Sequence, residues 1–235
     1  DEWKAPRFKR ILQALCDSQG IPWSIKTKAG WGGSTYPESQ PGDRPEWGLV
    51  YSAARVVQQF ERDGKIVKLT CPSGIQPERP YVTITLRGTR NPERNSNQAE
   101  WEIAAEVLSA SFKVVIVPDV EWPAESEWLD LNRRFALYGG AEMNMLVNNG
   151  PLALCMFSDV PYLAFRMLGD GSVTPTTDPA YFNKFFIPVF TQLPWANQRQ
   201  RLVWRQDRAD IILEEFNVLI GHCGPRPEFE RAAVG

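Results

Sequence analysis

The stretch Met143-Asn144-Met145-Leu146-Val147-Asn148-Asn149-Gly150-Pro151 decides how the rest of the chain is read. Its first five residues have the length and apolar weight of a buried strand. Asn-Asn-Gly then marks a turn, and Pro151 suits the first turn of a helix, where its missing N–H has no bond to lose. A strand that runs through a tight turn into a helix is half of a βαβ unit.

The same alternation extends in both directions. Tyr81 to Leu86 (YVTITL) is rich in β-branched and aromatic residues and reads as a strand. Lys113 to Val117 (KVVIV) is a nearly continuous apolar run, as in a strand buried on both faces, and Pro118-Asp119 is expected to end it. Between them Ser96 to Ser109 is predicted to be a helix capped by Ser96 or Asn95. Glu127 to Ala141 is a second helix, with Leu131, Phe135 and Tyr138 on one face. After Pro151 come a third helix, a strand from Pro161 to Met167, and a Pro- and aromatic-rich excursion from Gly169 to Trp195. A last strand from Arg201 to Trp204 and a closing helix from Asp210 to Ile220 follow. This order predicts an α/β, Rossmann-like parallel sheet with helices on both faces, spanning residues 80–221.

Residues 1–79 are predicted to be a smaller, mostly helical segment. Helices are expected from Ala5 to Cys16 and from Trp47 to Phe60, and a short strand from Ile66 to Leu69. The run from Gly30 to Pro45 is dense in Gly, Pro and Ser and reads as loop. Residues 222–235 form a tail. Four of the nine Trp residues, Trp3, Trp23, Trp31 and Trp47, fall in this first part, where packing accounts for them better than exposure does.

Composition narrows the function classes. The chain has 235 residues, 43% hydrophobic and 23% charged, with a net charge of −2, so no electrostatic case exists for nucleic acid or an acidic membrane. No run of apolar residues has transmembrane length. The four cysteines are widely spaced, without a Cys-x-x-Cys pair, and reduced thiols in a cytoplasmic protein are the expectation. His222 is the only histidine, which excludes a multi-His metal site and leaves a Ser-His-Asp triad little support. Neither a Walker loop nor Gly-x-Gly-x-x-Gly occurs. Any general base is therefore an Asp or Glu, and no catalytic residue stands out.

Parallel sheets of this kind bind ligands at the carboxyl ends of their strands. That rule selects three loops. The turn Asn148-Asn149-Gly150-Pro151 offers the N–H groups of a helix start, a glycine that permits close approach, and two side-chain amides, a seat for phosphate or carboxylate. A plain turn with a cap and a glycine would read the same way. Arg87, Thr89 and Arg90 lie in the first strand-end loop, with Arg94 further on, and guanidinium groups suit phosphate oxygens. Asp119 and Glu121 follow the second strand, where an acid can accept from ribose hydroxyls or simply cap the next helix.

Taken in order, three segments carry a resemblance. They are YVTITLRGTRNPERNSNQAEWEIAAEVL with KVVIVPDVE, then MNMLVNNGPLALCMFSDVPYLAF, then PWANQRQRLVWRQDRADIILEEF. Together they resemble the C-terminal, donor-binding domain of GT-B glycosyltransferases, in the heptosyltransferase-like branch and its uncharacterised bacterial relatives. The resemblance implies sugar transfer from a nucleotide sugar to an unknown acceptor, without an obligatory metal or a further cofactor. It implies donor diphosphate held by Asn149, Gly150 and Pro151 with Arg87 nearby. GT-B enzymes carry two Rossmann-like domains, and residues 1–79 are too short for the other one. The chain is therefore expected to be a fragment, a reduced form, or a protein that has left the full reaction behind. A binding or structural subunit on the same scaffold is the alternative, and a sugar epimerase a third.

Overall fold

In a computed structural model of the protein, residues 17–19, 57, 60–66, 68–73, 80–89, 92–120, 130–168, 178–185 and 187–223 are described. Five strands, β1 (Tyr81–Gly88), β2 (Lys113–Val120), β3 (Met143–Val147), β4 (Tyr162–Phe165) and β5 (Gln200–Leu202), form one sheet. Its order is β2-β1-β3-β4-β5, and every neighbouring pair is parallel. The helices are α1 (Gln98–Ser109), α2 (Leu131–Gly140), α3 (Leu152–Met156), α4 (Pro179–Phe185) and α5 (Ala209–Cys223), with a 3-10 turn at Pro92–Arg94.

The chain steps one way from β1 to β2, then the other way from β2 across to β3, β4 and β5. With crossovers of a single hand, reversing direction moves the connecting helix to the opposite face. The core shows this. Val82, Ile84, Met143, Met145, Leu163 and Phe165 pack with Trp101, Ala104 and Leu108 of α1 and with Ile212 and Phe216 of α5. On the other face Tyr81, Leu146, Tyr162 and Ala164 pack with Phe135 and Tyr138 of α2 and with Leu152 and Cys155 of α3. The predicted α/β sheet with helices on both faces is what the chain forms. Full burial of side chains such as Phe135 and Met145, both 0% exposed, contributes about 1.5–3 kcal/mol each.

The second face also carries a polar seam inside the core. Thr83 Oγ1 donates to Asn144 Oδ1 at 2.6 Å, and Asn144 Nδ2 donates to the carbonyls of Tyr138 and Pro161, both at 2.9 Å. Thr85 Oγ1 and the Tyr138 hydroxyl lie 2.7 Å apart. Each of these buried groups has a partner, so the seam specifies the register of β1 against β3 at little cost.

Element ends differ from expectation in instructive ways. β2 does not stop at Pro118-Asp119 but runs on to Val120, because β2 is an edge strand and tolerates the missing Pro118 N–H. Neither Ser96 nor Asn95 caps α1. Asn97 holds the cap position without a side-chain bond, while Asn95 and Ser96 tie down the preceding loop. α2 begins at Leu131, where Asp130 accepts from Asn132 N and Arg133 N. β4 and β5 are shorter than predicted, and α5 is longer.

Ile66 to Leu69 is not a strand in its described residues. It crosses the second face, where Leu69 N donates to Phe157 O at 2.6 Å. Val57, Phe60, Ile66, Leu69 and Cys71 join the core of that face, so these residues before 80 share the sheet's core. Val57 and residues 60–63 are helical, as are residues 17–18. The helix expected from Ala5 to Cys16, most of the one from Trp47 to Phe60, the loop from Gly30 to Pro45 and residues 224–235 lie outside the described residues. Among the described residues no helix is long and apolar enough to cross a membrane.

Candidate functional site

In the order β2-β1-β3-β4-β5 the winding reverses between β1 and β3, and the crevice at their carboxyl ends is where such sheets take ligands. Arg87 lies at the end of β1, beside Asn148, which follows β3. Arg87 Nη1 donates to the Asn148 carbonyl at 3.1 Å. This contact places a guanidinium at the reversal point. Asn148 is tied to β4 in turn: its N–H donates to Phe165 O at 3.2 Å and its Nδ2 to Met167 O at 3.3 Å.

Asp119 is the register partner of Arg87 across β1 and β2, a placement that follows from the unexpected length of β2. Its carboxylate faces Arg134 of α2, with Oδ1 3.6 Å from Nη1. Burial pushes the Asp119 carboxyl above its ordinary value, and the charges of Arg134 and Arg87, with the Asn149 amide, pull it back in part.

Asn149 is 8% exposed. Its Oδ1 accepts Leu152 N at 3.2 Å, a side-chain cap for α3. Its buried Nδ2 has no partner within hydrogen-bonding distance, although it lies near enough to Asp119 to favour the charged carboxylate. A buried donor without an acceptor costs about 1–3 kcal/mol, so this amide is a candidate contact for a ligand.

The α3 terminus leaves few N–H groups open. α3 has five residues, and Leu152 N, Ala153 N and Leu154 N donate to Asn149 Oδ1, Gly150 O and Pro151 O. So short a helix closes on itself through i to i+3 bonds and adds little dipole. Pro151 sits at its cap position, and a Cβ at Gly150 would meet nothing within 4 Å, so the space beside that backbone is open.

The first loop delivers more. Thr89 N and Oγ1 donate to Asn95 Oδ1 at 2.7 and 3.1 Å, and Asn95 Nδ2 returns a bond to Thr89 O at 2.8 Å. Arg87 N donates to Ser96 Oγ at 2.9 Å, and Ser96 N to Arg87 O at 3.1 Å. Thr89 is thus a loop closer. These bonds fold the loop back on the end of β1, so that the charge of Arg94 acts on that of Arg87. Burial, and then the charge of Arg87, lowers the Arg94 guanidinium below its ordinary value, with Glu93 opposing. Arg94 Nε is buried without a hydrogen-bond partner. Among the described residues, Arg87 and Arg134 act on the Asp119 carboxylate and Arg94 on that of Glu93, three guanidinium groups against two carboxylates. Arg90 and Glu121 lie outside the described residues.

Sequence reasoning missed Arg134 and Arg166. Arg134 sits in the helix after β2 and reaches back toward the strand end, with Nη2 3.4 Å from Pro118 O. Arg166 directly follows β4, and a cation at a strand's carboxyl end was the available signal. Other chemistry finds less support. Cys71 and Cys155 are free thiols, and burial pushes the Cys155 thiol far up, away from nucleophilic use. Among the described residues no group of His, Cys, Asp and Glu is arranged to hold a metal ion.

No family model and no curated protein sequence matches the chain. Among solved structures the chain is similar to a histidine-to-asparagine mutant of a flavo di-iron protein from Thermotoga maritima, at 13% identity and a TM-score of 0.34. The similarity covers 63% of this chain and 36% of that one, so the chain spans about a third of that structure's length.

Proposed function

We propose that the crevice between β1 and β3 binds the diphosphate of a nucleotide sugar and that the protein is glycosyltransferase-like, passing the sugar to an acceptor without a metal. One observation carries this reading. The Arg87 guanidinium is docked on the Asn148 carbonyl at the point where the sheet order reverses, with Arg94 beside it. Two guanidinium groups held together repel each other and become favourable once an anion with several oxygens bridges them. Asn149 Nδ2 supplies a further donor, and Asp119 an acceptor for a hydroxyl. In transfer, the arginines would stabilise charge developing on the departing nucleotide.

A second reading, a binding subunit that performs no transfer, is favoured by Asp119. Its carboxylate is paired with Arg134, which leaves it poorly placed to act as a base.

Thermal unfolding with UDP, GDP, ADP and CMP, free and as their sugars, tests both. A ligand that binds the folded chain alone raises the midpoint by mass action. One nucleotide diphosphate is expected to do so, and Arg87→Ala to abolish it. If none shifts the midpoint at about millimolar concentration, the nucleotide-sugar reading is lost. Binding without turnover against any sugar acceptor selects the second reading.

A further inference from the structure

Arg166 has a φ of 53°, in the left-handed region that side chains bearing a Cβ disfavour. A residue held there is over-determined by its surroundings. The surroundings are on hand: Arg166 N donates to Arg205 O at 3.0 Å, and its guanidinium lies 3.6 Å from the buried Asp207 carboxylate. From that position the two ends of the guanidinium fork reach across to the first loop. Nη1 donates to Asn95 O and Nη2 to Glu93 O, both at 2.8 Å. These carbonyls belong to the residues on either side of Arg94. Arg166 therefore grips the backbone that carries Arg94 from just beyond the end of β4, 72 positions away in sequence.

We propose that Arg166 is a positioning residue that holds the Pro92–Arg94 turn, through the carbonyls of Glu93 and Asn95, against the end of β1, and with it the charge of Arg94 near Arg87. The proposal rests on the reading of that crevice as an oxyanion site. Two unfavourable features, the left-handed backbone at Arg166 and the neighbouring like charges of Arg87 and Arg94, both serve this one arrangement. Without the clamp, a flexible arginine whose Nε has no acceptor would swing into solvent, away from its like-charged neighbour. The clamp stores the cost of bringing the cations together in the folded chain, which is the meaning of a preorganised site. Lysine cannot replace it, because a point charge cannot bridge two carbonyls as a planar fork does, although it can still face Asp207.

The full chain, labelled with 15N, provides the test. Arg166→Lys is expected to broaden the Arg94 Nε–Hε signal, identified by its loss in Arg94→Lys, while the Trp101 indole signal reports an intact fold. An unchanged Arg94 signal overturns the proposal. In calorimetry with inorganic pyrophosphate, Arg166→Lys is expected to weaken binding roughly tenfold in the natural chain and less than about twofold in an Arg94→Gln background. Equal losses in both backgrounds overturn it, since Arg166 would then act other than through Arg94. If Arg166→Lys loses the Trp101 signal, Arg166→Gln, which keeps an amide donor, carries the same two measurements. A natural chain that ignores pyrophosphate removes the oxyanion reading, whereas the NMR measurement needs no anion and still decides the positioning role.

Discussion

Asp207 Oδ2 accepts the indole N–H of Trp101 at 2.8 Å and the backbone N–H of Asn97 at 2.7 Å, so an acid before α5 caps α1. The favour is returned: Glu100 Oε2 on α1 accepts Ala209 N, the first residue of α5, at 2.6 Å. Each helix start is satisfied by a side chain from the other helix's end of the chain, which pins the two helices on the same face of the sheet. Asp207 is 2% exposed and also faces Arg166. Replacing it by Ala strands a buried cation and two donors, with an expected loss of about 3–5 kcal/mol in urea unfolding. Asp207→Asn keeps an acceptor and should cost about 1–2 kcal/mol. A loss below about 1 kcal/mol for Asp207→Ala would show that the cap contributes little.

The docking of residues 68–73 on α2 is open to a double substitution. A Cβ at Gly139 would stand 2.1 Å from Cys71 Sγ, whose thiol donates to Phe135 O at 3.2 Å. Gly139→Ala is therefore expected to destabilise the chain by about 1–3 kcal/mol, despite the helix propensity alanine adds. In a Cys71→Ala background the same change should be neutral or stabilising. A penalty that persists there would mean that the clash lies elsewhere.

Two buried tyrosines give opposite expectations for the same chemical change. The Tyr81 hydroxyl donates to Leu137 O at 2.6 Å, whereas the Tyr162 hydroxyl is buried without a partner. Tyr81→Phe should cost about 1 kcal/mol, and Tyr162→Phe should be neutral or stabilising by about the same amount. Equal losses in chemical denaturation would contradict the hydrogen-bond assignments.

Asp119 sets a pH dependence. Its carboxyl titrates above the ordinary value of 3.8 in the folded chain, chiefly through burial. A carboxyl that holds its proton more tightly when folded contributes most below 3.8, and that contribution is lost as pH rises through the folded value. The natural chain should therefore lose stability relative to Asp119→Asn as pH climbs from about 4, with the difference constant once Asp119 is fully ionised. Denaturation midpoints of the two chains across that range check the sign. A difference that grows in favour of the natural chain would show that Arg134 outweighs burial.

The periodic and compositional features of the sequence carried the fold a long way. YVTITL, KVVIV and MNMLV each announced a strand, and their alternation with helices implied a parallel sheet covered on both faces, because apolar strands need helices to cover them. The three strand-end loops could be located for the same reason. KVVIV is not buried on both faces as expected, since β2 lies at the sheet edge with Ile116 45% exposed and only Val117 of the run buried. Strand order could not be read from local pattern, since any parallel arrangement satisfies the same periodicity, and that order is what puts Arg87 against Asn148. How many N–H groups the Gly150-Pro151 turn leaves open was likewise not legible, because helix length decides it, and α3 ends after five residues. Arg94 gains its place only through bonds from Ser96, Asn95 and Arg166, residues whose partners lie up to 73 positions apart. Local propensity thus determined which elements form. The tertiary structure decided which charges meet, because hydrogen bonds between residues far apart in sequence fix the backbone that carries them.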